Sequence, residues 1–235
     1  MILEPEYECR DPAEQRAEDD RLLRRQLACL FERSAFYRDK LNAAGIGSAE
    51  EVNGLDGLAA VPFTVKDEIR ATQAEHPPLG AHLAADPADV RRIYSTSGTT
   101  GRPCYIALTE ADLQVWATNT ARSYTAAGFR RGQRLVVTFN AGPFVAGAAY
   151  YGFDRLGATV IPVGMGNTER LVGAIRNLGG GAAGISCTPS YALYLIDWCR
   201  EHGIDTHTLG IANISTAGEP GGGDAAIRER VQGAF

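Results

Sequence analysis

The run Tyr94-Ser95-Thr96-Ser97-Gly98-Thr99-Thr100-Gly101-Arg102-Pro103 holds the residue types best suited to chemistry in this chain. From 95 to 101 it consists of five hydroxyl residues and two glycines. Glycine lets the backbone approach a ligand closely and adopt positive φ. Successive backbone N–H groups in such a turn form an anion-binding concavity, and Ser and Thr hydroxyls rotate to donate to phosphate oxygens. Arg102 adds a permanent positive charge at the rim. Ser95, Thr96, Ser97, Gly98, Thr99, Thr100, Gly101 and Arg102 are therefore candidate phosphate-binding residues, in a cradle that needs no metal ligand of its own. The plain alternative is a Ser/Thr/Gly linker. A strand before the run and Pro103 at its exit argue against that. The run lacks the Gly-x-x-x-x-Gly-Lys-Ser/Thr pattern of a Walker A loop and the Gly-x-Gly-x-x-Gly fingerprint of dinucleotide sites.

The elements that must position this loop follow from periodicity and punctuation. Residues 90–96 form a strand that runs into it, and 110–128 suits a helix ending at Gly128. Strands are expected over 134–140 (RLVVTFN), 158–163 (ATVIPV), 183–187 and 210–216, with helices over 145–156, 168–178 and 190–202 between them. Strands alternating with helices imply parallel pairing and a layered α/β domain. Ligands in such sheets bind beyond the strand ends. Asn140, Phe144 and Gly147 follow one strand, and Gly164 and Gly166 follow the next, so these five are candidate substrate-binding residues. The small ones would leave room for a flat ring, with Phe144 as a wall and 188–191 closing the cavity. The alternative is that the glycines serve tight turns only.

Ahead of this body, 14–44 reads as one helix, with Leu23, Leu27, Leu30, Phe31, Tyr37 and Leu41 near helical spacing and Gly45 as its stop. Residues 53–90 are broken by Pro62, Pro77, Pro78 and Pro87 and read as short helices and loops. The expected organisation is a helical N-terminal appendage over 1–89 and an α/β ligand-binding part over 90–235. Of the 235 residues 45% are hydrophobic and 22% charged, as in ordinary globular proteins. The formal net charge of -5 advertises no basic surface, so a nucleic-acid partner is not expected. Five cysteines without a Cys-x-x-Cys pair, and four histidines without His-Glu-x-x-His spacing, give neither a disulfide framework nor a metal site. No 18-residue apolar run exists to span a membrane. The acidic start lacks a signal peptide's basic and apolar regions, which implies a cytoplasmic protein.

The run from Thr96 to Pro103 resembles the signature loop of the adenylate-forming superfamily, Ser/Thr-Ser/Gly-Gly-Ser/Thr-Thr-Gly-x-Pro. Further stretches are similar, in order, to the phenylacetate–CoA ligase branch. They are Phe36-Tyr37-Arg38, Val61-Pro62-Phe63-Thr64-Val65-Lys66, Gly157-Ala158-Thr159-Val160-Ile161-Pro162-Val163 with Gly166-Asn167-Thr168-Glu169-Arg170, Thr188-Pro189-Ser190-Tyr191-Ala192-Leu193 and Ala217-Gly218-Glu219-Pro220. The resemblance implies the N-terminal domain of an acid–CoA ligase. Such an enzyme joins a carboxylate to ATP, with Mg2+, and passes the acyl group from the adenylate to coenzyme A. It implies that the glycine loop holds the ATP phosphates, and that Ala217, Gly218, Glu219 and Pro220 line the adenine site. The substrate implied is a small, aromatic or similar carboxylic acid. Arg102 and Cys104 stand where lysines are common, and Gly221 stands where the branch's type member has Trp, which points away from phenylacetate itself. Family members continue past this point with a Tyr-Gly-x-Thr/Ser-Glu motif, a ribose-binding aspartate and a lysine-bearing C-terminal domain. The chain is accordingly expected to be the amino-terminal part only, inactive alone, with an edge that a homodimer or another partner covers. A non-catalytic fragment, or an ATP-binding or interaction module keeping part of the fold, is the alternative.

Overall fold

A computed structural model describes residues 1–96, 98, 102–140, 142, 145–178 and 183–235, with Val145 described by its backbone. The described residues fall into two compact units, one made mainly of 4–112 and the other mainly of 113–235, so the boundary lies within a helix.

The first unit opens with α1 (Pro5–Glu8) and α2 (Pro12–Arg33). Asp11 caps α2 by accepting the Ala13 N–H at 2.9 Å, and Pro12 occupies the first turn, where no N–H is needed. The single helix expected over 14–44 is two. Ser34 is extended at φ -122° and ψ 109°, and its hydroxyl donates to the Ala81 carbonyl at 3.0 Å while capping α3 (Ala35–Ala43). That partner is 47 residues away in sequence, so no local pattern reports the break. Leu27, Leu41, Ile46, Ala49 and Val52 form the core of this unit. α4 (Lys66–Glu75) follows, then β1 (Val90–Ser95) and β2 (Tyr105–Thr109). These two strands pair antiparallel, with Ser95 opposite Tyr105. The glycine loop is thus the connection of a hairpin, and β1 and β2 group with the helices before them. Thr109 ends β2 and starts α5 (Glu110–Ala126): Asp112 accepts the Thr109 N–H at 2.8 Å, and the Thr109 hydroxyl accepts the Asp112 N–H at 3.3 Å.

The second unit carries the parallel sheet. After α5 come β3 (Arg134–Val137), α6 (Ala149–Leu156), β4 (Thr159–Pro162), α7 (Thr168–Leu178), β5 (Ala183–Cys187), α8 (Pro189–Glu201), β6 (Ile211–Thr216) and α9 (Ala225–Ala234). The four strands lie in the order β4-β3-β5-β6, every pair parallel. The central strands β3 and β5 are the most buried, because helices cover both faces of the sheet there. Leu135 and Val137 point to one face, with Ala121 of α5 and Phe153 and Leu156 of α6. Val136, Ile185 and Cys187 point to the other, with Leu171 and Ile175 of α7 and Leu195 and Cys199 of α8. This is the layered α/β architecture that the alternation of elements implies.

Helix α6 approaches α5 closely at Gly152, where a Cβ would lie 2.2 Å from Thr120 Cβ and 3.1 Å from the Ala117 carbonyl oxygen. Overpacking of this kind costs about 1–3 kcal/mol. Gly152→Val is therefore expected to lower the unfolding free energy by that amount, read as a lower urea midpoint with the slope of the transition unchanged. An unaltered midpoint would mean that the two helices separate freely.

Candidate functional site

In the parallel sheet, the connection after β3 leads to β4 on one side, and the connection after β5 leads to β6 on the other. The crevice beyond the carboxyl ends of β3 and β5 is thus a topological switch point, where open α/β sheets bind their ligands. Asn140 and Gly164 come together beyond the carboxyl ends of the neighbouring pair β3 and β4. Asn140 Oδ1 accepts the Met165 N–H at 3.4 Å, and a Cβ on Gly164 would sit 2.4 Å from that oxygen. Gly164 also has φ +77°. Only glycine fits there, both for the turn and for the close approach of Asn140. Gly166, at φ +78° with open space around its Cα, lines a groove of about 570 Å3 with Asn167, Thr168, Glu169, Tyr191, Tyr194 and Trp198. Tyr191 is fixed by a 3.0 Å hydrogen bond between its hydroxyl and that of Thr168. Gly147 is buried in a 3-10 turn ahead of α6. Phe144 lies outside the described residues.

Beyond β6, the Ala217 N–H donates to the Cys187 carbonyl at 3.0 Å, and Gly218 turns the chain at φ +92°. Glu219 then reaches the start of α8, where its Oε1 accepts the Ser190 N–H at 2.7 Å. Thr188 caps the same helix by accepting the Tyr191 N–H at 3.2 Å, and Pro189 takes its first position. Ala217, Gly218, Glu219 and Pro220 are all exposed. The Ser190 hydroxyl, then the Ser190 N–H, with help from Thr188, hold the Glu219 carboxyl below the usual carboxylate range. Burial, foremost, and the Glu219 charge push the neighbouring Cys187 thiol up to about 12, so it stays protonated and unreactive. Ser190 is the residue here that composition alone does not single out; the run Thr188-Pro189-Ser190 carries its signal as a helix start.

The Glu219 contact makes stability depend on pH. A carboxyl lowered in the folded state contributes stability that is complete above its ordinary value of 4.5 and is lost as pH falls through the lowered value. Glu219→Gln is expected to destabilise the chain at pH 7 and to flatten the acid limb of its stability profile below pH 4.5. Parallel acid limbs for the two proteins in urea titrations would show that the contact contributes nothing.

In the first unit, the hairpin ladder continues one step beyond β1. The Thr96 N–H donates to the Cys104 carbonyl at 3.0 Å, and the Cys104 N–H donates to Thr96 Oγ1 at 3.1 Å. Accepting there leaves the Thr96 O–H able to donate. Gly98 has φ +67°, a left-handed conformation that glycine adopts without strain. Arg102 is exposed, and its carbonyl accepts from Arg70 Nε at 3.1 Å. Ser95 is part of β1. Ser97, Thr99, Thr100 and Gly101 lie outside the described residues.

No family model matches the chain. Its sequence is 37% identical to the phenylacetate-coenzyme A ligase of Thermus thermophilus over 232 residues, covering 98% of this chain and 50% of that protein. It is 37% identical to the Pseudomonas putida phenylacetate-coenzyme A ligase over 188 residues, 80% of this chain and 41% of the relative. Its structure matches that of 2-hydroxyisobutyryl-CoA ligase, solved in complex with 2-HIB-AMP and CoA in the thioesterification state. The TM-score is 0.91 at 28% identity, over 98% of this chain and 49% of that one. These similarities support an adenylate-forming superfamily for the chain. Within it, the curated relatives matched here are phenylacetate-coenzyme A ligases, and the chain spans about half of their length. Among the described residues, no helix is long and apolar enough to cross a membrane.

Proposed function

We propose that this chain supplies the acid-activating portion of an AMP-forming acid–CoA ligase. A carboxylate oxygen of a small, aromatic acid attacks the α-phosphorus of ATP, pyrophosphate leaves, and the coenzyme A thiol then displaces AMP from the acyl carbon. The observation that carries this reading is the match over 232 residues, at 37% identity, to a phenylacetate-coenzyme A ligase. The solved neighbour's adenylate and CoA support the same two-step chemistry. In this reading Ser95, Thr96, Ser97, Gly98, Thr99, Thr100, Gly101 and Arg102 hold the β- and γ-phosphates in line for displacement. Ala217, Gly218, Glu219 and Pro220 line the adenine site, with Glu219 fixing that turn to the start of α8. Asn140, Phe144, Gly147, Gly164 and Gly166 surround the acid. Mg2+, the metal that this reading implies, needs only one or two carboxylates beside substrate phosphates and waters. The metal would arrive on the triphosphate. We place the reaction in the cytoplasm, where ATP and coenzyme A are both at hand. A homodimer or a second polypeptide is the partner that this reading expects on the open sheet edge.

The test is acid-dependent exchange of pyrophosphate into ATP by a complete enzyme carrying this segment, across a panel of aryl and alkyl acids. Exchange that is strongest with small aryl acids is expected, and no exchange with any acid overturns the reading. In the same assay, Phe144→Ala should shift preference toward bulkier acids by about 1–3 kcal/mol, the usual range for pocket-size discrimination. An equal loss for every acid would make Phe144 core packing instead.

A further inference from the structure

The hairpin that carries the glycine loop does not stand alone within its unit. Gln73 Nε2 donates to the Tyr105 carbonyl at 2.8 Å, and Gln73 Oε1 accepts the Tyr105 N–H at 3.1 Å. One side-chain amide thus satisfies both main-chain groups of the first residue of β2, as a neighbouring strand would. One turn earlier on α4, Arg70 donates to the Arg102 carbonyl at 3.1 Å, and Asp67 orients its guanidinium at 2.9 Å. Residues 70 and 73 share one helix face, so both contacts are made by the same side of α4. Other sides of α4 are tied down independently. Glu68 pairs with Lys40 of α3 at 2.5 Å, and the buried Thr72 hydroxyl accepts the Ala81 N–H at 2.8 Å. α4 is therefore anchored on two sides and grips the exit of the loop with a third.

We propose that α4 is the positioning element of the phosphate loop's exit, with Gln73 and Arg70 fixing the backbone at Arg102 and Tyr105 before a phosphate arrives. Neither residue is asked to touch the nucleotide. A loop of hydroxyls and glycines is costly to order, and donors ordered in advance bind an anion without that cost at the moment of binding. The inference rests on the phosphate role given to the loop under the proposed function, and the experiment separates the two. It uses the full 235-residue chain. Gln73→Leu keeps the side chain's bulk and removes both hydrogen bonds, whereas Gln73→Glu keeps an acceptor for the Tyr105 N–H. Amide exchange over 96–105 is expected to quicken by about tenfold or more in Gln73→Leu and by less in Gln73→Glu, with exchange in β3 and β5 unchanged. Protection of the same segment by inorganic pyrophosphate should need about threefold to tenfold more of the anion in Gln73→Leu. Unchanged exchange over 96–105 in Gln73→Leu overturns the proposal, and so does exchange that quickens equally throughout the chain. If pyrophosphate fails to protect even the unaltered chain, the phosphate reading falls, and the exchange rates still decide whether α4 positions the loop's exit.

Discussion

Thr99→Ala and Thr100→Ala together are expected to slow adenylation by roughly tenfold to several hundredfold or more in a complete enzyme carrying this segment. Hydrogen bonds to charged groups contribute about 1.5–3 kcal/mol each, and about 1.4 kcal/mol in a barrier is a factor of ten. Two lost donors at the low end give about a hundredfold, and water replacing one of them reduces this to about tenfold. Both hydroxyls belong to the loop that, in the proposed reading, holds negative charge while pyrophosphate departs. The rate of pyrophosphate exchange at saturating acid measures the effect, with thermal stability as the control. Untouched exchange in the double variant would remove the loop from the chemistry.

The other large effect is on stability. Phe153 is fully buried, with Tyr124 at 4.8 Å and Tyr150 at 5.9 Å between ring centroids, and Phe139 at 6.4 Å. Removing it leaves a cavity beside Leu135 and Val137 of the central strand β3. Phe-to-Ala changes in such cores cost about 3–5 kcal/mol, a large share of the about 5–15 kcal/mol that holds a domain folded. Phe153→Ala is expected to bring the urea midpoint down accordingly or to leave the parallel-sheet unit unfolded. A loss below about 1 kcal/mol would mean that the aromatic cluster closes over the gap.

Much of the architecture is legible in the sequence because the parallel sheet is covered on both faces. Runs such as Leu135–Val137 within β3 are short, apolar and β-branched-rich, which favours a buried strand. What escapes depends on partners distant in the chain. Ser34 divides the long N-terminal helix because Ala81 offers its hydroxyl an acceptor 47 residues on. β2 is a short apolar run just before a helix start, and only its antiparallel pairing with β1 shows that the glycine loop is a hairpin connection. α9 carries its own start signal in Asp224, whose side chain accepts the Ile227 N–H. At the site, the resemblance singles out Glu219, but its bond to Ser190 requires β5 and β6 to be neighbours, which no local pattern states. Likewise Gly164 is recognisable as a turn, whereas its close approach to Asn140 depends on β3 pairing with β4.

The account stands or falls on which phosphorus the carboxylate attacks. A complete enzyme carrying this segment, given ATP, coenzyme A and a small aryl acid labelled with 18O in both carboxylate oxygens, reports it by mass spectrometry of the nucleotide product. Attack at the α-phosphorus leaves one labelled oxygen on AMP once the thiol has taken the acyl group, and the predicted result is singly labelled AMP with unlabelled pyrophosphate. ADP as the product, with the label in inorganic phosphate, would mean an acyl phosphate intermediate and would contradict the reading of the 96–103 loop as the cradle for an adenylating ATP.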